Sequence, residues 1–598
     1  MNKTYHRKPI YQALFTIFIA GLFIISGSAS VFGDLQKNSI QTAERGSTIY
    51  VDYENTDGPW DGTIDHPYQF IQDGIDHATD GDTVYVFYGD YRENIVVSKS
   101  IALMGEEKTA WISGYSYGGT IVKIIAENVT LSGFTIAHGG DDPNNAGIMI
   151  HTSHNIITNN DIRYNDNYGV YAIGGNNLIY HNNFFENTHQ VFDVLANNTW
   201  DGEYPIGGNY WDDYNGTDAN EDGIGDIPYT TGNSSMDQYP LIHPYGSISN
   251  THTDEIFLSI QAAFNDDDTL DGHAILIDRG IYREHVWINK SVALYGIHGD
   301  DSILDGKFIG DVVKINANDV AVEGLMIQHS GTAEQNAGIV VDGNNCSIMR
   351  NTIYDNFQGI VLKQSTEDIK IVENKISDNG WNGITLKPGC IGIHIFENTI
   401  ADNFYAGIGI SDSSNNYIYH NNFKSNRHQA YDNAANIWDD GYPSGGNYWS
   451  DYTGSDSDGD GIGDSPYAIP GGINTDQYPL MTPYIGGDTT PPVVKIQTPG
   501  NGLYFWGLRL FSVLFKKSTI IYGPITIEVE AADAQSDIKQ VEFLIDDSVT
   551  PAFVDTQAPY SWEWSTPSLI IHKHTIIVIA YDNAGNPNYD MLDVRKYL

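Results

Sequence analysis

The chain has 598 residues, including 61 Gly, 39 Tyr and 11 Trp, and its 30 Lys+Arg against 77 Asp+Glu give a formal charge of −47. So acidic a surface repels phosphate backbones and anionic lipid, which excludes nucleic acid and leaves cations and neutral polymers as partners. A 41% hydrophobic content excludes wholesale disorder, and the Gly-punctuated, aromatic-rich composition points to an all-β, turn-dense chain.

Lys3, Arg7 and Lys8 precede an apolar stretch at 13–25, with small residues at 26–30. This is the layout of a secretory signal peptide over 1–33, cut after Ser30 or Gly33, with an uncleaved anchor as the alternative. The expected localisation is secreted or extracellular cell surface, with no membrane span in the mature chain. Sequons at Asn128, Asn197, Asn215, Asn233, Asn289 and Asn345 are compatible with surface glycosylation.

Two copies of one design follow, expected at 48–245 and 255–484. Tyr91-Arg92-Glu93 recurs as Tyr282-Arg283-Glu284, and Asn145-Ala146-Gly147-Ile148 as Asn336-Ala337-Gly338-Ile339, both at an offset of 191. Tyr180-His181-Asn182-Asn183-Phe184 matches Tyr419-His420-Asn421-Asn422-Phe423 at 239, so the second copy carries 48 extra residues. Gly-Ile pairs at Gly338, Gly359, Gly383 and Gly407 are spaced 21, 24 and 24, which makes those 48 residues two further coils. Apolar residues alternate in short bursts, as in Ile369-x-Ile371 and Ile393-x-Ile395. Three short strands per coil, stacked at a fixed period, predict a parallel β-helix whose inner face is buried only by stacking. Asparagines at equivalent turns are expected to form a ladder. Short helices at Ile71 and Ile260 are expected to cap the first sheet edges. This register puts Cys346 inward on a strand and Cys390 in a turn two coils away, beyond disulfide reach, so two free thiols are expected.

Each copy ends on an acidic closing segment. Asp218, Asn220, Asp222, Ile224 and Asp226 in the first, and Asp456, Asp458, Asp460, Ile462 and Asp464 in the second, stand at positions 1, 3, 5, 7 and 9 of a loop with Gly at 6. Alternating oxygen donors around a Gly turn suit a hard cation, so calcium is the expected cofactor. The twelfth position holds Tyr229 or Tyr467 instead of a bidentate Glu. Asp213 or Asp237, and Asp451 or Asp476, are the candidate replacements. Trp211 and Trp449 nearby are expected to pack against the loop rather than stack on sugar.

The span 488–598 opens on a stiff Asp488-Thr489-Thr490-Pro491-Pro492 linker and continues with alternating strands, as in a β-sandwich. The apolar run 503–515 is expected to be an edge hairpin.

The span 48–484 resembles the right-handed parallel β-helix proteins of the NosD-like family. The resemblance is carried by Gly89-x-Tyr91-x-Glu93, the coil signature Asn-x-Ile-x-x-Asn, and the Gly-Asn-Tyr-Trp-x-Asp-Tyr and Asp-Gly-Ile-Gly-Asp-x-Pro-Tyr endings. The tail is similar to bacterial Ig-like modules. The expected fold is therefore two tandem right-handed β-helices followed by an Ig-like β-sandwich. The resemblance implies a surface protein, with copper handling or polysaccharide lyase, epimerase or hydrolase activity as alternatives. Copper calls for clustered His, Met or Cys; His138 and His329 merely recur across the copies, so copper is not the expected cofactor.

Three stacked columns are candidate sites. Asp342, Lys363 and Lys387 form a candidate base column for uronate chemistry, with a solvated ionic ladder as the plainer reading. Glu373 and Glu397 stack at a glycosidase-like separation, flanked by Arg350 and His420, so charge alternation explains them more simply. Asp355, Asp378 and Asp402 form a further acidic column. His189 and His428 are expected to cap the last coils. The reading that results is a structural or adhesive protein with polysaccharide or cell-envelope protein as partner.

Overall fold

The computed structural model describes residues 46–597 except 115–117, 232–234, 486–491, 501, 512–518, 534–537, 546–550, 566–572 and 583–586. The proposed signal at 1–33, the sequon at Asn233 and most of the linker lie outside the described residues. The chain divides into two compact units, the first reaching Asn250 and including 254–263, the second holding the remainder.

In the first unit each coil contributes one short strand to each of three parallel sheets. The first sheet has six strands, from Thr48–Val51 to Leu178–Tyr180, and the second has six, from Gly89–Tyr91 to Tyr210–Trp211. The third has five, from Ile95–Val97 to His189–Asp193. The second unit repeats the scheme with eight strands in its second sheet, Gly280–Tyr282 to Tyr448–Trp449, and seven in its third, Val286–Ile288 to His428–Asp432. Two more strands in the second sheet and two in the third are the two coils that the 48-residue difference implies.

Stacking places like on like. Ile339, Ile360, Ile384 and Ile408 are paired in successive third-sheet strands, and all four are buried. Ile369 and Ile393 are likewise buried beside the strands Lys370–Val372 and His394–Phe396. Each such side chain stabilises the stack by about 1.5–3 kcal/mol relative to exposure. The Gly of each Gly-Ile pair has a steric cause: a Cβ at Gly383 would stand 2.8 Å from Gly407 O and 2.9 Å from Asn403 Nδ2.

The corners are held by asparagine, and the first unit has three ladders where one was expected. Asn160, Asn182 and Asn209 line the corner from first to second sheet, Asn165 and Asn187 the next, and Asn155, Asn177 and Asn198 the third. In the second unit Asn351, Asn374, Asn398, Asn421 and Asn447 run along the first corner. Asn398 shows the pattern: its Nδ2 donates to Asn421 Oδ1 at 2.9 Å and to the carbonyls of Ile371 and Phe396. Every buried polar atom in the column thus finds a partner, which buried amides require.

At the third corner of the second unit the ladder position is taken by Cys346. It lies in the turn just before Ser347–Met349 rather than on a strand, because the corner residue turns inward as a strand residue does. Cys390 is also buried, and both thiols are free.

The helix Ile71–His77 packs Ile71 and Ile75 into the first unit's core. Its first N–H groups, at Ile71 and Gln72, donate to the Glu93 carboxylate at 2.8 and 3.1 Å, which gives the Tyr91-x-Glu93 motif a physical role. The second helix spans Ile260–Asn265.

From Val493 the second unit continues as two antiparallel-rich sheets. A three-stranded one holds Val493–Thr498, Ile525–Ala532 and Tyr560–Trp564; a seven-stranded one holds the rest, with the hairpin Gly502–Phe505 and Leu508–Phe511 at its edge. Ile527, Val541, Phe543, Ile576 and Val578 form the core of this Ig-like region.

Candidate functional site

The closing segments bring buried aromatics, ladder asparagines and acidic loops together. The five-residue motif that precedes each acts as a socket. His181 stacks on Tyr245 at 3.9 Å, Asn182 joins the ladder, Asn183 Oδ1 accepts the Tyr245 N–H at 2.6 Å, and Phe184 stacks on Trp211 at 4.2 Å. His420, Asn421, Asn422 and Phe423 do the same with Tyr484 and Trp449. Burial holds His181 down to about 4, and hence neutral.

Trp211 lies between Phe184 and Tyr229, and Trp449 between Phe423 and Tyr467, with centroid spacings of 4.2–4.4 Å. Both indoles are buried, so neither offers a face to a sugar.

Asp237 and Asp476 terminate the ladders. Asp237 Oδ2 accepts the Asn209 N–H at 2.7 Å and the Trp211 indole N–H at 2.9 Å, while Oδ1 accepts the Tyr239 N–H at 3.1 Å. Asp476 repeats this with Asn447, Trp449 and Tyr478. Desolvation outweighs these hydrogen bonds and pushes Asp237 up to about 7 and Asp476 to about 6. Their place in the interior removes them as substitutes for a twelfth calcium ligand. Asp213 and Asp451 instead accept the hydroxyls of the twelfth-position residues Tyr229 and Tyr467, at 3.0 and 3.2 Å.

In the loops themselves Gly223 and Gly461, at position 6, have φ of 85° and 87°, the left-handed turn that glycine permits. Asp218 accepts the N–H groups of Glu221 and Gly223, and Asp456 those of Gly459 and Gly461. Burial raises the Asp218 carboxyl above the ordinary range. Carboxylate oxygens of Asp456, Asp458 and Asp460 lie within 4.8 Å of one another. In the first loop Asn220 Nδ2 donates to Asp222 at 2.8 Å. Asp226 and Asp464 turn back to the loop entrance, accepting from Thr217 and Ala219, and from Ser455 and Ser457. The Ile224 and Ile462 positions sit in bridges to Leu241 and Leu480, which tie each loop to its unit.

The columns are brought together as the repeat implies. Asp342, Lys363 and Lys387 follow equivalent third-sheet strands, and Asp342 and Lys387 are exposed to solvent. Arg350 pairs with Glu323 and, at 3.2 Å, with Glu373. Burial and the neighbouring Glu373 charge raise Glu397, whose carboxylate also receives the Tyr484 hydroxyl at 3.4 Å. Arg350 thus separates Glu323 from Glu373, but Glu373 and Glu397 stand next to each other as like charges, so the expected charge alternation stops there. Asp355, Asp378 and Asp402 share a left-handed turn position, with φ of 51–57°. His189 and His428 open the last third-sheet strands, but the following Gln does the capping: Asn187 and Asn426 donate to Gln190 and Gln429.

Two family matches agree with this architecture. The family described as "Periplasmic copper-binding protein (NosD)" matches residues 90–216 and 288–454, and "Bacterial Ig domain" matches 492–578. A cell surface glycoprotein of Methanothermus fervidus is 31% identical over 110 residues, 18% of each chain. A probable ABC transporter binding protein NosD of Stutzerimonas stutzeri is 33% identical over 134 residues, 21% of this chain and 30% of that one. The chain thus spans less than a third of the length of these curated relatives. Pectate lyase Pel9A aligns over 67% of this chain and 81% of its own, at 11% identity and a TM-score of 0.21.

A copper site does not assemble from the recurring histidines. His329 lies between Asp305 and Asp355, at 3.0 and 3.4 Å, and His138 is stacked on Tyr164. Neither group is the soft or imidazole-rich donor set that copper selects. The chain is a NosD-like parallel β-helix protein with a C-terminal bacterial Ig-like module.

Proposed function

We propose that the protein is a secreted, cell-surface structural and adhesive scaffold. Its two β-helices present long faces to neutral polysaccharide or to envelope proteins, and its closing loops take up calcium. The observation that carries this reading is the stack itself: continuous parallel sheets whose inward apolar residues are buried and whose last rung is closed by the Trp-Asp plug. All the variable chemistry is thereby left on the outside. The names of the two curated relatives support an extracytoplasmic setting. An aromatic row on the second unit, half-buried at Phe357 and exposed at Trp381 and Tyr405, supports a docking face. Phe357, Trp381 and Tyr405 stack in successive coils, the last two at 4.3 Å with planes 4° apart, and Phe404 stands beside them, 63% exposed.

A glycan array probed with the mature chain and with Trp381→Ala tests the adhesive role. Binding by the first, weakened at least tenfold in the second at unchanged melting temperature, supports it. Turnover of a bound glycan replaces the scaffold reading with the enzymatic one. For calcium, the converging carboxylates of Asp456, Asp458 and Asp460 are hard oxygen donors that fit a divalent cation. Calcium at about a hundred times its Kd should stabilise the unit by about 2.7 kcal/mol. Asp458→Asn, which gives the second loop the first loop's donor set, should bind more weakly. Melting curves identical with calcium and with chelator remove calcium from the proposal.

A further inference from the structure

Every coil turns three corners, and the inward asparagines there spend their amides on the stack, as Asn398, Asn403 and Asn177 do. Four of the five sequon asparagines among the described residues stand at outward positions of the third corner, from third sheet to first. Asn128 lies between Val122–Ile124 and Thr130–Ser132, and Asn197 follows His189–Asp193. Asn289 lies between Val286–Ile288 and Ala293–Gly296, and Asn345 between Ala337–Val341 and Ser347–Met349. All four are exposed.

Register explains the coincidence. In Asn128-Val129-Thr130, Asn197-Asn198-Thr199 and Asn345-Cys346-Ser347 the middle residue fills the buried corner position. Alternation then turns the asparagine and the hydroxyl residue outward together. Asn128 and Asn345 both adopt left-handed backbone, φ 57° and 53°, which asparagine tolerates. An enzyme that reads Asn and Ser/Thr while ignoring the residue between them meets both groups on the open side, and at Asn345 it must displace the exposed contact from Nδ2 to Asp319 Oδ1. Asn215, in the first acidic loop, is different: its Thr217 hydroxyl is engaged by Asp226 at 3.1 Å.

We propose that the third corner is an N-glycosylated edge, with Asn128, Asn197, Asn289 and Asn345 as the acceptors. The donor class is a lipid-linked oligosaccharide phosphate, used by a separate transferase. The amide nitrogen forms a bond to the anomeric carbon as the bond from that carbon to the lipid phosphate oxygen breaks. One amide proton leaves, and the lipid phosphate departs with the electron pair. At about 4.8 Å per coil, Asn128 and Asn197 stand about 14 Å apart, and Asn289 and Asn345 about 10 Å. The glycans form a row on one edge of each unit and leave the other two corners bare for docking.

The proposal rests on the surface reading, so the test separates the two. Full-length protein is recovered from the cells that make it, after surface protease treatment of a parallel sample, and its peptides are analysed by mass spectrometry. Glycan mass is expected on the peptides bearing the four edge asparagines. Thr130→Ala should lose the Asn128 glycan at unchanged melting temperature, and Thr130→Ser should keep it. Protease-sensitive surface protein with unmodified edge peptides, or with a glycan at Asn215 alone, overturns the glycan row and leaves the surface reading intact. Protein confined inside the cell overturns both.

Discussion

Trp449 donates its indole N–H to the Asp476 carboxylate across 2.8 Å, with both side chains buried, and the same oxygen accepts the backbone N–H of Asn447, the last rung of the ladder. One side chain therefore ends a column of five asparagines and orients the aromatic plug. Asp476→Ala leaves two buried donors without an acceptor, at about 1–3 kcal/mol each. A loss of about 3 kcal/mol or more is expected in denaturant titrations of the second unit. A change under 1 kcal/mol would show that water replaces the carboxylate.

The same group predicts a pH dependence. Burial raises Asp476 from 3.8 to about 6, so the native state holds a proton that the unfolded chain releases. Its contribution is most favourable below pH 4 and declines as pH rises from 4 to 6. The melting temperature of the second unit should therefore fall over that window, and Asp476→Asn should flatten the slope. In the first unit Asp237 has the same sign, but His181, held near 4, gains stability as pH rises to 6.5 and opposes it. The first unit should show the weaker slope in pH-resolved calorimetry.

Asn398 distinguishes amide from carboxylate in the ladder. Its Nδ2 faces two carbonyls, so Asn398→Asp sets a buried charge against acceptors, whereas Asn398→Ala only forfeits hydrogen bonds. Thermal melts should rank Asp below Ala and both below the parent chain. Equal melting temperatures for the two variants would mean that the ladder opens to solvent.

The two extra coils are modular. Deleting 360–407 joins Gly359 to Ile408, the register partner of Ile384 and hence of Ile360. The shortened unit should fold with the same circular dichroism per residue and a smaller m-value, since contacts are nearest-neighbour. A deletion offset by half a coil should yield aggregate.

Much of this was legible from residue spacing. The offsets of 191 and 239 predict two extra coils, and eight strands against six, and seven against five, bear them out. The acidic loops and the Ig-like strands were legible for the same reason, since a repeat writes each local rule several times. The termination of the ladders was not. Asp237 and Asp476 are close in sequence to the acidic loops, which suggested ligands, yet they face the core because the chain folds back between loop and plug. Asp226 and Asp464, at the ninth position by count, also accept hydrogen bonds at the loop entrance, which the spacing did not announce.

What the amino-acid order by itself determined is therefore everything periodic: strand, corner, coil, copy and the inward face of each. Tertiary structure alone decided which polar groups lose water. That depends on what stacks above and below a residue. It made Asn398 a buried rung and Asn345 an exposed corner, and by taking Asp476 out of water it raised that carboxyl to about 6.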